Sequence, residues 1–250
     1  MSTTAEERVF FANSRGQRLA GILKGPVAEA MVISCHGMLS AKNGLKHKML
    51  AAELEKRGLG SLRFDFAGRG ESEGDLWDLS ISNEVVDLDA ALTYLSQRGV
   101  KRFGVFGSSM GGSVALLTAA RDERIVAVAT LAAVAHPDAI AERQAELVDK
   151  GWKDGYLSTA AGKISMRFVE DARQHDVVAA VRVLCAPVHV THGDRDEVVP
   201  VSDAHDIATA ARNAQLNIVF GADHRFTDPT HLRPAIGSIA EFLAATLADR

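Results

Sequence analysis

Little in this 250-residue chain points to a metal, a redox group, a nucleic acid or a membrane. There are two cysteines, Cys35 and Cys185, each in or beside an apolar segment; they are expected to be buried free thiols of a reducing compartment. No paired Cys/His motif and no H-E-x-x-H occurs, so no metal is expected. Gly68-Arg69-Gly70 lacks the helix and lysine of a phosphate-binding loop, and no cofactor is expected. A net charge of −4 without a run of five like charges gives no reason to expect nucleic acid. The longest nearly apolar run, Ile125 to Val134 with Thr130 interrupting, falls short of the ~18 residues of a membrane span. Met1 to Arg8 is polar, so no secretory signal is expected and a cytoplasmic location is. The 47% hydrophobic content suffices for the core of one large domain.

What is present is an alternation of strand and helix patterns. Val9 to Ala12 and Arg18 to Lys24 flank Asn13-Ser14-Arg15-Gly16 and read as an edge hairpin. Strands are expected at Met31–Cys35, Gly60–Phe64, Arg102–Phe106, Ile125–Val134, Pro187–Thr191 and Leu216–Phe220. Helices are expected near Leu45–Arg57, Asn83–Gln97 (capped by Ser82), Asp203–Ala211 and Pro234–Leu247, with another after the Gly107–Gly111 turn. Such alternation predicts an α/β fold with a mostly parallel sheet, and it puts ligands at the carboxyl ends of the strands.

Gly107-Ser108-Ser109-Met110-Gly111 lies where one apolar strand gives way to a helical pattern. A G-x-S-x-G there reads as a sharp turn presenting one serine at the top of a sheet. Only Ser109 has glycine two positions away on both sides. With 21 glycines in the chain the pentapeptide alone is a weak signal. The usual order, serine then acid then histidine, supplies the strength. The strand ending in His192-Gly193 is followed by three competing acids, Asp194, Asp196 and Glu197, and Asp138 stands after the preceding strand as a further candidate. His224 is the one histidine on a post-strand loop downstream of these candidates.

A serine hydroxyl becomes a useful nucleophile when an imidazole removes its proton, and a carboxylate fixes the tautomer of that imidazole. The oxyanion that forms needs aligned donors. Met110 heads the helix after the serine, so its backbone N–H is one candidate. The Met38 N–H is the other, on the loop His36-Gly37-Met38 after the Met31–Cys35 strand.

The strings Ser34-Cys35-His36-Gly37-Met38, Leu62-Arg63-Phe64-Asp65-Phe66-Ala67-Gly68-Arg69-Gly70-Glu71-Ser72, Gly107–Gly112, His192-Gly193-Asp194-Arg195-Asp196-Glu197-Val198-Val199-Pro200 and Gly221-Ala222-Asp223-His224 together resemble those of the α/β-hydrolases, over nearly the whole chain. Within that superfamily the chain is similar to small bacterial feruloyl/cinnamoyl-type esterases and serine aminopeptidase-like hydrolases. The resemblance selects Asp196 as the acid and leaves Asp194 to brace the turn. It also implies that the roughly fifty residues between the strands ending at Val134 and starting at Pro187, too long for a connection, form a helical cap. The implied division is a core of residues 1–135 and 187–250 and a cap of 136–186. Trp152 and Tyr156 of that cap either line an acyl or aromatic pocket or anchor the cap, and Trp77 carries the same ambiguity.

Three readings compete. The first is a serine carboxylic ester hydrolase acting on a small-molecule ester. The second keeps the same three residues for a thioester, a peptide N-terminus or a carbon–carbon bond; cap acids Glu142, Glu146, Asp149 and Asp154 suit an amine, and Lys150, Lys153 and Lys163 suit an acyl-CoA. The third is a non-enzymatic receptor, which has no need of an intact nucleophile, acid and base.

Overall fold

The computed structural model describes residues 5–147 and 155–248. β1 (Glu7–Ala12) and β2 (Arg18–Lys24) form the antiparallel edge hairpin. The chain then alternates through β3 (Ala30–Cys35), α1 (Leu45–Lys56), β4 (Gly60–Phe64), α2 (Ile81–Ser96), β5 (Arg102–Ser108), α3 (Met110–Ala119) and β6 (Ile125–Leu131). α4 (Pro137–Leu147), β7 (Tyr156–Thr159), β8 (Gly162–Ser165), α5 (Arg167–Ala172) and α6 (Val177–Val183) follow. β9 (Val188–Gly193), α7 (Val201–Ala210), β10 (Ala214–Val219) and α8 (Pro229–Ala248) complete the order.

Eight strands make one sheet in the order β1-β2-β4-β3-β5-β6-β9-β10, parallel from β4 to β10. Helices cover both faces, which is why β3 is buried at every residue and lacks polar alternation. Met31, Ile33 and Cys35 pack on the side of Leu88 and Val114, and Val32 on the side of Ile239 and Leu243 of α8. With the strands parallel, their carboxyl ends share one edge, and the loops that follow β3, β5, β9 and β10 meet there.

Several elements differ from the sequence expectation, among them β6, which ends at Leu131 rather than Val134, and β10, which runs from Ala214 to Val219 rather than Leu216 to Phe220. α2 starts at Ile81, because Ser80 rather than Ser82 accepts the Asn83 N–H at 3.1 Å. Ser82 instead meets residues of the later segment, with its hydroxyl 3.0 Å from His175 Nε2. α8 starts at Pro229 rather than Pro234; Asp228 accepts the Thr230 N–H at 2.8 Å, and a proline suits a first helical position. Residues 136–186 are not all helical, since β7 and β8 pair with each other as an antiparallel hairpin apart from the main sheet. Cys35 is buried as expected, but Cys185 is exposed; neighbouring Leu184 takes the inward position before β9. Among the described residues no helix is long and apolar enough to cross a membrane, and no group of acidic, His or Cys side chains could hold a metal ion.

Candidate active site

The turn between β5 and α3 is closed by backbone packing against backbone. A Cβ on Gly107 would lie 2.2 Å from the Gly111 carbonyl oxygen, and one on Gly111 would lie 2.4 Å from that of His36. Glycine is therefore required at both places. Ser109, between them, is held at φ 55° and ψ −127°, a strained conformation for a residue with a side chain.

His224, on the loop after β10, places Nε2 3.1 Å from Ser109 Oγ and Nδ1 2.8 Å from Asp196 Oδ2. The three residues singled out from sequence thus stand in one hydrogen-bonded line. The Asp196 side chain is fully buried, and its Oδ1 accepts the Val198 and Val199 N–H groups at 2.9 and 2.8 Å. Burial raises its carboxyl, but hydrogen bonds from His192, His224 and the Val199 N–H outweigh that and hold it well below the usual carboxylate range.

The competing acids stand elsewhere. Asp194 accepts the Gly221 N–H at 2.6 Å and so ties the β9 loop to the start of the His224 loop. Glu197 lies 3.5 Å from the His224 backbone N–H. Asp138 is exposed in the first turn of α4. The carboxylate beside the end of β6 is that of Asp203, which accepts the Ala135 N–H at 2.8 Å.

Both candidate oxyanion donors border the nucleophile. Met110 is the first residue of α3, where backbone N–H groups have no intrahelical acceptor. Gly37 lies so close that a Cβ there would be 3.1 Å from Ser109 Cβ. His36 sets the direction of this loop. Its Nε2 accepts the Phe66 N–H at 3.1 Å, so the proton is on Nδ1, which donates to the Gly37 carbonyl at 2.8 Å. The Ser40 N–H donates to the same carbonyl at 2.9 Å. Because C=O and N–H point opposite ways in a trans peptide, this leaves the Met38 N–H on the far side. Burial pushes the His36 imidazole down to about 4, against the opposing pull of the Gly37 carbonyl and Asp65.

An apolar pocket of about 50 Å³ opens beside Ser109. Met38, Ile81, Met110, Val134, Ile140, Phe168 and Val198 are among its walls. Tyr156 is not among the lining residues: its ring lies 6.1 Å from that of Trp77, with the Lys163 ammonium 3.9 Å above it. Trp152 lies outside the described residues.

Sequence reasoning missed two members of this site. Lys46, the second residue of α1, donates to Ser108 Oγ at 3.0 Å behind the turn, and burial brings its ammonium down to about 8 while Asp196 and Asp223 oppose. His192, read only as the end of a strand, puts Nε2 3.1 Å from Asp196 Oδ2. Its placement four residues before the acid was visible, but nothing in the pattern marked it.

The strand order, the strained serine after β5 and the helices on both faces are those of an α/β-hydrolase. A family model described as serine aminopeptidase, S33, matches residues 26–157, more than half of the sequence, and the chain belongs to that family. It is a hydrolase. The mitochondrial palmitoyl-protein thioesterase ABHD10 of Mus musculus is 26% identical over 229 residues, covering 85% of this chain and 74% of the relative. Among solved structures, Est1E from Butyrivibrio proteoclasticus with bound ferulic acid superposes with a TM-score of 0.87 at 24% identity, over 96% of this chain and all of that one. Mouse ABHD10 superposes with a TM-score of 0.79 at 22% identity, covering 96% of this chain and 99% of that one. These two likenesses show the fold.

Proposed function

We propose that the protein is a serine carboxylic ester hydrolase with Ser109 as nucleophile, His224 as general base and acid, and Asp196 as the orienting carboxylate. The observation that carries this reading is the line Asp196–His224–Ser109 at 2.8 and 3.1 Å, with the serine at the mouth of an apolar pocket. Asp196 accepts the Nδ1 proton, so Nε2 directs its lone pair at Ser109 Oγ.

As Oγ bonds to the ester carbonyl carbon, its proton passes to Nε2, and the carbonyl oxygen takes the negative charge. The Met38 and Met110 N–H groups face that oxygen, and losing one such donor costs on the order of 3 kcal/mol of barrier. Collapse breaks the bond to the alcohol oxygen, which leaves with the proton from Nε2. Water then repeats the sequence on the acyl-enzyme: its proton goes to Nε2, its oxygen bonds to the carbonyl carbon, and Ser109 leaves with the proton restored. The narrow pocket supports a short acyl group, held by apolar contact alone.

A second reading, thioester hydrolysis, has one observation in its favour: the relatives named palmitoyl-protein thioesterases align over 85% of this chain. The same residues serve either leaving group. The test is a substrate panel of p-nitrophenyl esters of graded chain length, methyl ferulate, acyl-CoA and an aminoacyl amide. Short esters should turn over fastest, and Ser109→Ala should lower kcat by at least about 10⁴-fold. Faster turnover of acyl-CoA would favour the thioester, and faster turnover of the amide would favour an aminopeptidase. A fully active Ser109→Ala variant would remove the whole proposal.

A further inference from the structure

We propose that His192 is a positioning residue of this site, sharing Oδ2 of Asp196 with His224 and thereby setting the pH range over which the general base works. The inference rests on the Ser109–His224–Asp196 reading and goes beyond it. His192 is the penultimate residue of β9 and is completely buried. Its Nε2 lies 3.1 Å from Asp196 Oδ2 and 3.0 Å from the Val199 carbonyl oxygen. A carbonyl and a carboxylate both require a donor, so Nε2 carries the proton. Nδ1 is buried and has no hydrogen-bond partner among the described residues. A second proton on the ring would sit there as an unpaired buried donor, which is costly. His192 is thus fixed as a donor and does not exchange roles with His224.

The consequence lies in the shared oxygen. Oδ2 receives His224 Nδ1–H at 2.8 Å and lies 3.1 Å from His192 Nε2, whose N–H is hydrogen-bonded to the Val199 carbonyl beside it, while Oδ1 is filled by two backbone N–H groups. Each donor withdraws charge that the carboxylate would otherwise offer the others. Removing the His192 donor concentrates charge on the bond to His224 and favours its imidazolium, so the neutral ring that accepts the Ser109 proton is lost at a higher pH. Other charged groups face the pair from neighbouring elements. Glu197, Asp223 and Arg225 lie on or beside the His224 loop, Lys46 approaches from α1, and Asp203 on α7 faces His192. Among the described residues the side chains in polar contact with Asp196 are His224, by a hydrogen bond, and His192, with Nε2 3.1 Å from Oδ2.

The test is kcat/KM against pH for the wild type, His192→Leu and His192→Gln. The glutamine keeps an N–H near the place of Nε2. The leucine variant should move the acid limb up by about half to one pH unit. It should also lower kcat about three- to tenfold with KM little changed, and glutamine should restore most of both. A folded leucine variant with an unmoved acid limb, or leucine and glutamine variants that behave alike, would overturn the proposal. Should the leucine variant not fold, ¹⁵N-histidine NMR of the wild type decides. The neutral His192 ring should carry its proton on Nε2, and a neutral ring with the proton on Nδ1 would overturn the proposal. Wild-type protein without any ester turnover would defeat the ester-hydrolase reading instead, and the NMR result would remain legible.

Discussion

The turn that carries Ser109 and the described residues of 136–186 are held by different forces. Around the turn, backbone packs on backbone: Gly107 against Gly111, Gly111 against His36, and Gly112 against Ala133. Among the described residues, the three other than glycine with positive φ, Ser109, Ala132 and Phe226, follow β5, β6 and β10 at this edge. The later segment is attached by side chains. Asp171 accepts the Ser82 N–H at 3.1 Å, His175 meets the Ser82 hydroxyl, and Arg173 pairs with Glu142 within the segment at the surface. Exposed pairs of the last kind are worth roughly 0–1 kcal/mol each. The reacting atoms therefore sit where main chain packs on main chain, while the later segment meets the pocket through packed side chains, Ala141 and Phe168 among them.

The largest effect should come from breaking the rigid side. Gly111→Ala introduces a methyl 2.4 and 2.6 Å from the carbonyl oxygens of His36 and Cys35, which are themselves held by β3 and its loop. Overpacking commonly costs about 1–3 kcal/mol, and here the colliding atoms are main chain on both sides. Urea unfolding should show a loss of at least about 3 kcal/mol, together with loss of turnover. A stable, active variant would show that this backbone yields and that the contrast drawn here is wrong.

A smaller effect separates the two regions by pH. His36 is depressed to about 4 by burial, so between roughly 6.5 and 4 the unfolded chain binds a proton that the folded chain does not. Stability due to His36 is therefore present above about 6.5 and falls as pH drops through that window, by on the order of 2–3 kcal/mol. His136, at the start of the later segment, has the opposite sign. Its bond to Asp206 raises its imidazole, so its contribution is present at low pH and is lost as pH rises through the folded value. That pair is half exposed, and its effect should be small. Urea unfolding at pH 7 and 4.5 should show a clear loss on acidification that His36→Asn reduces. An unchanged slope in that variant would place the acid sensitivity elsewhere.

The same contrast explains what could be read from the residues. Ser109 was legible because the close backbone approach demands glycine at 107 and 111, and that demand leaves a pattern. His224 was legible because parallel strands bring their following loops to one edge; the same argument placed Asp194, Asp196 and Glu197 there together, and only the resemblance selected Asp196. His192 and Lys46 left no such mark, because a buried strand histidine and a helix lysine have many ordinary uses and only the tertiary arrangement shows what they face. The Asp228-Pro229 start of α8 was written in the sequence but was outweighed by Pro234, which reads as a helix boundary. The hairpin of β7 and β8 was hidden for another reason. Tyr156–Thr159 and Gly162–Ser165 are four residues each, too short for periodicity to distinguish strand from loop.

The smallest effect tests the role of Tyr156. Its neighbours are the Trp77 ring at 6.1 Å and the Lys163 ammonium at 3.9 Å, all outside the pocket that Ser109 borders. An aromatic contact contributes about 0.5–1.5 kcal/mol and an exposed cation–π pair about 0.5–1 kcal/mol, and both are partly replaced by water in a smaller variant. Tyr156→Ala should therefore lower stability by about 1 kcal/mol while leaving kcat/KM for short esters within about threefold. Phe168→Ala, which enlarges the pocket itself, should instead shift preference toward longer acyl chains. If the tyrosine variant lost activity tenfold at unchanged stability, its ring would have to reach the substrate, and the segment would be closing over Ser109 rather than resting on Trp77.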